Sequence, residues 1–544
     1  MLEYPKLSYK RTVTLRANYF EIVTCEWTDE CVTSMHHHEW SSCFIYVEKG
    51  TFQDTINLGL KTEINILETG QSTTTPIGAK HELKCLSKTG KTLHIYIPSF
   101  GRTENPISLE QKIFSSKNLD FKELDIDSES IKWEKLLSAL NLIRDNSITT
   151  HSPYFMNQLF SGILPEMLIS ANLLAQMKTT LATYEASPIL NYIEEELIRN
   201  ICKLFAWESD QQNGITVPGG SAANLMAVHC ARHKIDPNIK KIGIGNKKFK
   251  LFVSKESHYS FEKACVILGI GTENLVKIDI DEFKKMKASA LENAIQIVLA
   301  NNEIPLLICA TAGTTVYGAF DQIDEIAKIS QKYKIWLHVD AAWGAPVLFS
   351  KNTRKLMDGI SLADSITFDA HKLLGANLTS SFFLTRHVNI LKDANDVDNC
   401  DYLFHQNANG IDKGQMTWQC GRKGEFLSFW SIWKSVGTRG LGDFVDRLYK
   451  IRNEVLEYIK EKDRLELLHS PEYLNLCVKI NPPNKKYSNF NWSKIVRNKL
   501  IDKNLAMINY SQDENGFFLR FIIANPFLES YHIKQMLDWC LEIE

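Results

Sequence analysis

An α/β fold is predicted for the centre of this chain: a mostly parallel sheet with helices on both faces. An all-β module precedes it and a smaller α+β domain follows. Three observations predict this. From about residue 151, short buried-strand patterns alternate with amphipathic helical ones. Residues 1–100 show period-two alternation between turn signals. The 544 residues exceed what one hydrophobic core holds, so two to four domains are expected.

Within residues 1–100, RTVTLRANYFEIVTCEW, SCFIYVEKGTFQDTINL, KTEINIL and KTLHIYIP read as strands of a small barrel or sandwich. GRTENPIS (101–108) reads as a linker, and IKWEKLLSALNLIRDN has helical spacing. Further on, NYIEEELIRNICKLF and FDQIDEIAKISQKY read as amphipathic helices. KLFVS, IQIVLA, LLICATAG, IWLHVDAA, SITFDA and SSFFLT read as buried strands. After about residue 440, the helix FVDRLYKIRNEVLEYIKEK and the strands LNLCVKI and FFLRFII suit a smaller α+β unit. The expected boundaries are 1–105 for the β module, 106–150 for the linker and helix, 151–440 for the large domain and 441–544 for the small domain.

Composition excludes several classes. The chain is 44% hydrophobic and 23% charged, with a net charge of −2, which gives no reason to expect nucleic acid or an anionic membrane as partner. No apolar run approaches the roughly 20 residues that span a bilayer. The start, MLEYPKLSYKRTVTLR, is too charged for a secretory signal. Twelve cysteines without a CxxC pair read as reduced thiols of a cytoplasmic protein.

Two strand ends carry chemistry. WLHVDAAWG (336–344) ends a buried strand at Asp340, and SITFDAHKLLG (365–375) ends another at His371 and Lys372. Ligands of open α/β sheets bind at such ends. A lysine and a carboxylate together suit pyridoxal phosphate. Lys372 would form the Schiff base with its aldehyde, and Asp340 would keep its ring nitrogen protonated. ITVPGGSAANLMAVHCARHK supplies a turn entering a helix, whose Gly219, Gly220, Ser221 and Ala222 offer backbone N–H groups to a phosphate. Alone, each piece has an ordinary structural reading as a turn, a surface lysine or a helix cap.

Collinear stretches give the pattern a family. FMNQLFSG (155–162), TYEASPI (183–189), VPGGSAANL (217–225), SHYSFEKA (257–264), ATAGTTVYGAFDQI (310–323), HVDAAWGA (338–345), DAHKLLG (369–375) and WQCGRKGEFLSFWSIWKSVGTRG (418–440) resemble the group II pyridoxal-phosphate decarboxylases. The resemblance implies a fold-type I transferase fold, a homodimer and pyridoxal 5'-phosphate as cofactor. Carried over, His258 stacks on the ring and Asp340 holds its nitrogen, with Ala342 beneath. Lys372 carries the cofactor, His371 lies near the phosphate, and Thr314 helps fix ring or substrate. Gln158 and Arg422 match positions that contact the acid groups of acidic substrates, a role suited to a bidentate arginine. These motifs resemble the glutamate and cysteine sulfinate branch and do not separate aspartate, glutamate and cysteine sulfinate. Two departures stand out. Asp369 replaces the usual Asn near the phosphate, and the loop after YLFHQ (402–406) lacks the usual Tyr, leaving His405 as a candidate proton donor.

The triplet His36-His37-His38 raises a second site. On a strand, His36 and His38 share one face. His81 is the best third ligand, and His94 and Tyr96 again lie two apart on a face with Thr92. This set resembles cysteine dioxygenase, a cupin-fold thiol oxygenase. The resemblance implies an Fe(II) centre held by His36, His38 and His81, and a possible Cys43–Tyr96 crosslink. It also implies that His94 and Tyr96 orient substrate and oxygen, and that Arg11 clamps the carboxylate of L-cysteine. Three imidazoles differ from the commoner two-His-one-carboxylate iron site. Thr92 stands where that family has Ser.

Together the two halves suggest consecutive steps. L-cysteine would be oxidised to cysteine sulfinate, which would then be decarboxylated to hypotaurine and CO2. The alternative is an aspartate or glutamate decarboxylase, forming β-alanine or γ-aminobutyrate, with a cupin that only senses a metal or thiol.

Overall fold

The computed structural model describes residues 9–544 apart from 17–20, 29–30, 38–40, 98–123, 127, 399, 401, 406–411 and 485. The chain divides into two compact units. One comprises Met1–Asn105, Ile163–Tyr449 and Pro471–Tyr473; the other comprises Pro106–Gly162, Lys450–Ser470 and Leu474–Glu544.

The N-terminal strands alternate buried and exposed positions, as in Glu21–Thr28 and Phe52–Asn57, so each sheet has one apolar face. They build two antiparallel sheets. The five-stranded sheet runs in the order Tyr9–Arg16, Glu21–Thr28, Thr89–Ile97, Ser42–Lys49, Ser72–Thr75; the four-stranded one runs His36–His37, Lys80–Cys85, Phe52–Asn57, Thr62–Leu67. Both contribute to one apolar cluster, with Val23, Trp27, Ile45 and Val47 from the first and Phe52, Leu67 and Leu83 from the second. The expected cupin barrel is not seen: among the described residues the strands form two separate sheets that no ladder closes into a single barrel.

The centre of the first unit is a seven-stranded sheet. Its order is Asn213–Pro218, Ser380–Thr385, Ser365–Asp369, Trp336–Asp340, Ile304–Thr311, Phe249–Ser254, Leu275–Ile278. Every pairing is parallel except those of Ser380–Thr385, which is antiparallel to both neighbours. The central strands are buried along their whole length, which explains their uninterrupted apolar runs. One expected strand is a helix: IQIVLA ends the helix Ala288–Ala300. Leu291, Ile295 and Val298 are buried while Ile297 and Leu299 are exposed, a spacing of four and three that puts one face on the sheet. The strands Asn213–Pro218 and Leu275–Ile278 were not expected from the sequence.

The second unit holds a sheet in the order Phe155–Met156, Met507–Asp513, Gly516–Ile522, Asn475–Ile480, Leu465–Leu467, with the helices Trp492–Asp502 and Ser530–Leu541. The helix Phe426–Lys460 is interrupted by Gly437 at φ 69°, a left-handed conformation that suits glycine. Among the described residues no helix is long and apolar enough to cross a membrane.

Candidate active site

A cleft of about 270 Å³ opens at the carboxyl ends of the central strands, within the first unit. It is lined by the turn Pro218–Ser221, by Asp340 at the end of one strand and Ala342 after it, by Asp369 at the end of the next and His371 and Lys372 after it, and by Asn224 and His258. The parallel register Asp340↔Thr367 aligns these strand ends, so residues 27 positions apart meet.

Gly219 has φ 99°, outside the range most residues tolerate, and it turns the chain from the strand Asn213–Pro218 into the helix Gly220–Ile235. A Cβ on Gly220 would lie 2.6 Å from Asp369 Oδ2, so glycine alone fits there. The helix therefore presents its first N–H groups at the cleft. Ala222 is not among the lining residues; its N–H is used locally, donating to Gly219 O at 3.0 Å.

Asp340 is 5% exposed. Its Oδ2 accepts from Asn224 Nδ2 at 2.8 Å and its Oδ1 from the Ala342 N–H at 3.2 Å. His258 Nδ1 accepts from the Ser260 N–H at 3.3 Å, and burial holds this imidazole below its ordinary pKa. Lys372 Nζ stands 3.4 Å from Asp369 Oδ2, and His371 Nε2 stands 3.9 Å from the same oxygen. Asp369, the departure noted in the sequence, is thus charge-compensated by lysine, while its Oδ1 has no hydrogen-bond partner among the described residues.

Three further expected residues, Arg422, Thr314 and His405, are not among those lining the cleft. Arg422 does not line the cleft. It is buried, its Nη1 lies 2.6 Å from Glu194 Oε1 and 2.8 Å from Thr216 Oγ1, and its Nη2 lies 3.1 Å from Glu194 Oε2. The guanidinium is engaged by the buried Glu194 carboxylate and not by the cleft. Thr314 is fully buried and its hydroxyl accepts from the Ala319 N–H at 3.1 Å, closing a turn; Thr315 lines the cleft in its place. His405 is exposed and lies 3.3 Å from Glu185 Oε2. Gln158, in the second unit, is exposed and accepts from Asn157 Nδ2 at 3.0 Å.

Sequence reasoning missed Asn224, His338, Ser365 and Thr367, which form a buried polar network behind Asp340. A signal existed: His338 lies two residues before Asp340 on a strand, hence on the same face. Asn224 lies one helical turn past Gly220, amid buried Ala223, Met226 and Ala227.

In the N-terminal sheets, His36 pairs directly with His81 across antiparallel strands, and their rings lie 4.7 Å apart. His81 Nδ1 is 2.9 Å from Asp54 Oδ1, both side chains buried, and His36 Nδ1 is 2.8 Å from Ser34 O. Cys43 and Tyr96 are paired residues joined by a hydrogen bond, and His94 Nδ1 lies 3.7 Å from Cys43 Sγ. His94 Nε2 is 2.9 Å from Thr92 Oγ1, which accepts from Trp27 Nε1 at 2.7 Å. Burial pushes the Cys43 thiol and the Tyr96 phenol up and His94 down to about 3. Arg11 is paired at 3.1 Å with the buried Glu21. His38 lies outside the described residues, and among those described no three side chains are grouped to hold a metal.

A seven-stranded sheet of this topology, with lysine and aspartate at adjacent strand ends and a glycine turn opening a helix, defines a pyridoxal-phosphate enzyme of the fold-type I class. The pyridoxal-dependent decarboxylase conserved domain matches residues 116–481, and the chain belongs to that family. It is 35% identical over 430 residues to the cysteine sulfinic acid decarboxylase of Rattus norvegicus, covering 76% of this chain and 87% of that protein. It is 34% identical to the acidic amino acid decarboxylase GADL1 of Xenopus tropicalis, over 76% of this chain and 84% of the relative. The crystal structure of mouse CSAD in apo form superposes with a TM-score of 0.75 at 34% identity, over 79% of this chain and 92% of that one. The family match begins downstream of both N-terminal sheets.

Proposed function

We propose that this chain removes the α-carboxylate of a small acidic amino acid, with cysteine sulfinate, giving hypotaurine, as its substrate. The observation that carries the reading is the cleft that holds Lys372, Asp340, His258 and the Gly219–Ser221 turn together, on a chain about one-third identical to two decarboxylases of acidic amino acids.

The residues present fit pyridoxal phosphate. An anion site at a helix start, a lysine within the cleft and a buried carboxylate are the three donor types its phosphate, aldehyde and ring nitrogen require. When bound, the cofactor supplies a cationic ring that takes up the electron pair left as CO2 departs. This chain's residues do the rest. Gly220 and Ser221 would hold the phosphate through backbone N–H groups. Lys372 Nζ would hold the aldehyde carbon, Asp340 would keep a proton on the ring nitrogen, and His258 and Ala342 would contact the ring. Purified protein given cysteine sulfinate, aspartate and glutamate in turn, without oxygen, should release CO2 fastest from cysteine sulfinate. A preference for aspartate or glutamate replaces that substrate with the alternative one.

A second reading concerns the N-terminal sheets: an Fe(II) site that oxidises L-cysteine with O2 to cysteine sulfinate and so feeds the decarboxylase. What supports it is the carboxylate–imidazole pair Asp54–His81 beside His36, the outer-shell arrangement that orients a metal-binding histidine. His38 is the third ligand of this reading, and the Cys43, His94, Tyr96 and Arg11 group is its substrate side. Iron analysis with oxygen uptake on L-cysteine tests it, and iron binding without turnover leaves a sensing module. The expected assembly is a homodimer, checked by mass in solution.

A further inference from the structure

We propose that Trp336, Ser365, His338 and Asn224 form a one-directional hydrogen-bond relay that aims Asp340, making Asn224 and His338 positioning residues for the ring nitrogen of the cofactor. The inference rests on the role proposed above for Asp340.

The two ends of the relay determine its direction. An indole N–H only donates, and an ionised carboxylate only accepts. At one end Trp336 Nε1 donates to Ser365 Oγ at 2.8 Å; at the other, Asn224 Nδ2 donates to Asp340 Oδ2 at 2.8 Å. Asn224 has no choice of orientation, because its carbonyl turned toward Asp340 would set two acceptors against each other. Its second N–H goes to Ser260 Oγ at 2.9 Å. Its Oδ1 therefore faces His338 Nε2 at 3.0 Å and Thr367 Oγ1 at 2.7 Å, and both must donate to it. With its proton on Nε2, His338 accepts at Nδ1 from the Ser365 hydroxyl at 2.8 Å, and that hydroxyl oxygen takes the Trp336 N–H. In the other tautomer a bare Nε2 would face the Asn224 carbonyl.

Burial makes the arrangement binding. His338, Ser365 and Thr367 are fully buried and Asn224 is 1% exposed, so unmade bonds are not replaced by solvent. Burial also pushes His338 down to about 4, so a neutral, single-donor imidazole is the form present at neutral pH. The outcome is a charge-assisted bond on one oxygen of Asp340 and the Ala342 N–H on the other, which fixes the carboxylate plane.

The test is the 15N resonance of ring-15N pyridoxal phosphate in the holoenzyme, followed across pH, because it reports the ring-nitrogen proton itself. Ser365→Ala and Thr367→Val each remove one hydroxyl and should lower the pH at which the ring loses its proton by about 1 unit, a tenfold loss of proton affinity. His338→Leu should lower it further, whereas His338→Gln, whose amide can still donate to Asn224, should stay nearer the wild type. Should His338→Leu fail to fold, the two hydroxyl deletions decide. Folded Ser365→Ala and Thr367→Val variants with the wild-type midpoint overturn the relay, as does a His338→Gln midpoint as low as that of His338→Leu. Asp340→Asn separates the two claims. If it leaves the ring protonated as in the wild type, the role of Asp340 itself falls; if it shifts while the hydroxyl deletions do not, only the relay falls.

Discussion

Arg422 Nη1 lies 2.6 Å from Glu194 Oε1, with both side chains buried and Lys413 Nζ 3.3 Å from the second carboxylate oxygen. Arg422 heads this cationic pairing, which, against the cost of burial, holds the Glu194 carboxyl well below the usual carboxylate range. Removing the arginine leaves the buried carboxylate paired with Lys413 alone of the two cations, so Arg422→Met should lose about 3 kcal/mol of stability, read by denaturant unfolding. A folded variant with unchanged stability and a raised KM for the acidic substrate would return Arg422 to a substrate-binding role.

The same pair predicts acid sensitivity. A carboxyl whose pKa is depressed by folding contributes fully above its unfolded value, near 4.3, and that contribution is lost as pH falls through the folded value. The variant should therefore lose less stability than the wild type on acidification below about pH 4.

His338 predicts a different window. Its pKa falls from 6.5 to about 4 on folding, chiefly through burial, so the unfolded chain takes up a proton between those values and the folded chain does not. Stability should be whole above pH 6.5 and decline, on the order of 3 kcal/mol from this residue, as pH falls to 4. His338→Gln should flatten the melting temperature's slope across that interval; an unaltered slope counts against a neutral buried imidazole.

Asp340 and Lys372 predict loss of chemistry. Lys372→Ala should abolish decarboxylation, and Asp340→Asn should slow it by about 100-fold or more, since charge developing in the ring loses its preorganised partner. Single-turnover CO2 release checks both. Decarboxylation surviving in Lys372→Ala removes the cofactor assignment.

Asp54 predicts the behaviour of the N-terminal sheets. If His81 binds iron, Asp54→Asn should weaken iron affinity by about 10–100-fold while leaving CO2 release from cysteine sulfinate unchanged. Metal titration of the purified chain checks it, and a wild-type chain that takes up no iron ends that reading.

Much of this was legible in residue order. Buried parallel strands announce themselves as apolar runs, and LLICATAG, IWLHVDAA and SITFDA all became adjacent strands of the central sheet. IQIVLA did not, because a run of six apolar or neutral residues fits a helix and a strand alike. Only the wider spacing of Leu291, Ile295 and Val298 separates them. The N-terminal alternation predicted strands correctly, but alternation fixes which face is buried and not whether a sheet closes on itself.

Sequence alone determined where the candidate chemistry lies: Asp340 closes one apolar run and Lys372 follows another, and ligands of open α/β sheets bind at the carboxyl ends of the strands. Tertiary structure decided which polar side chains meet one another. Arg422 and Glu194 are 228 residues apart, and Asn224 and Asp340 are 116 apart. Whether a charge faces a ligand or a buried counter-charge depends on distances of a few ångströms across the fold, and a linear order of residues carries no such distances.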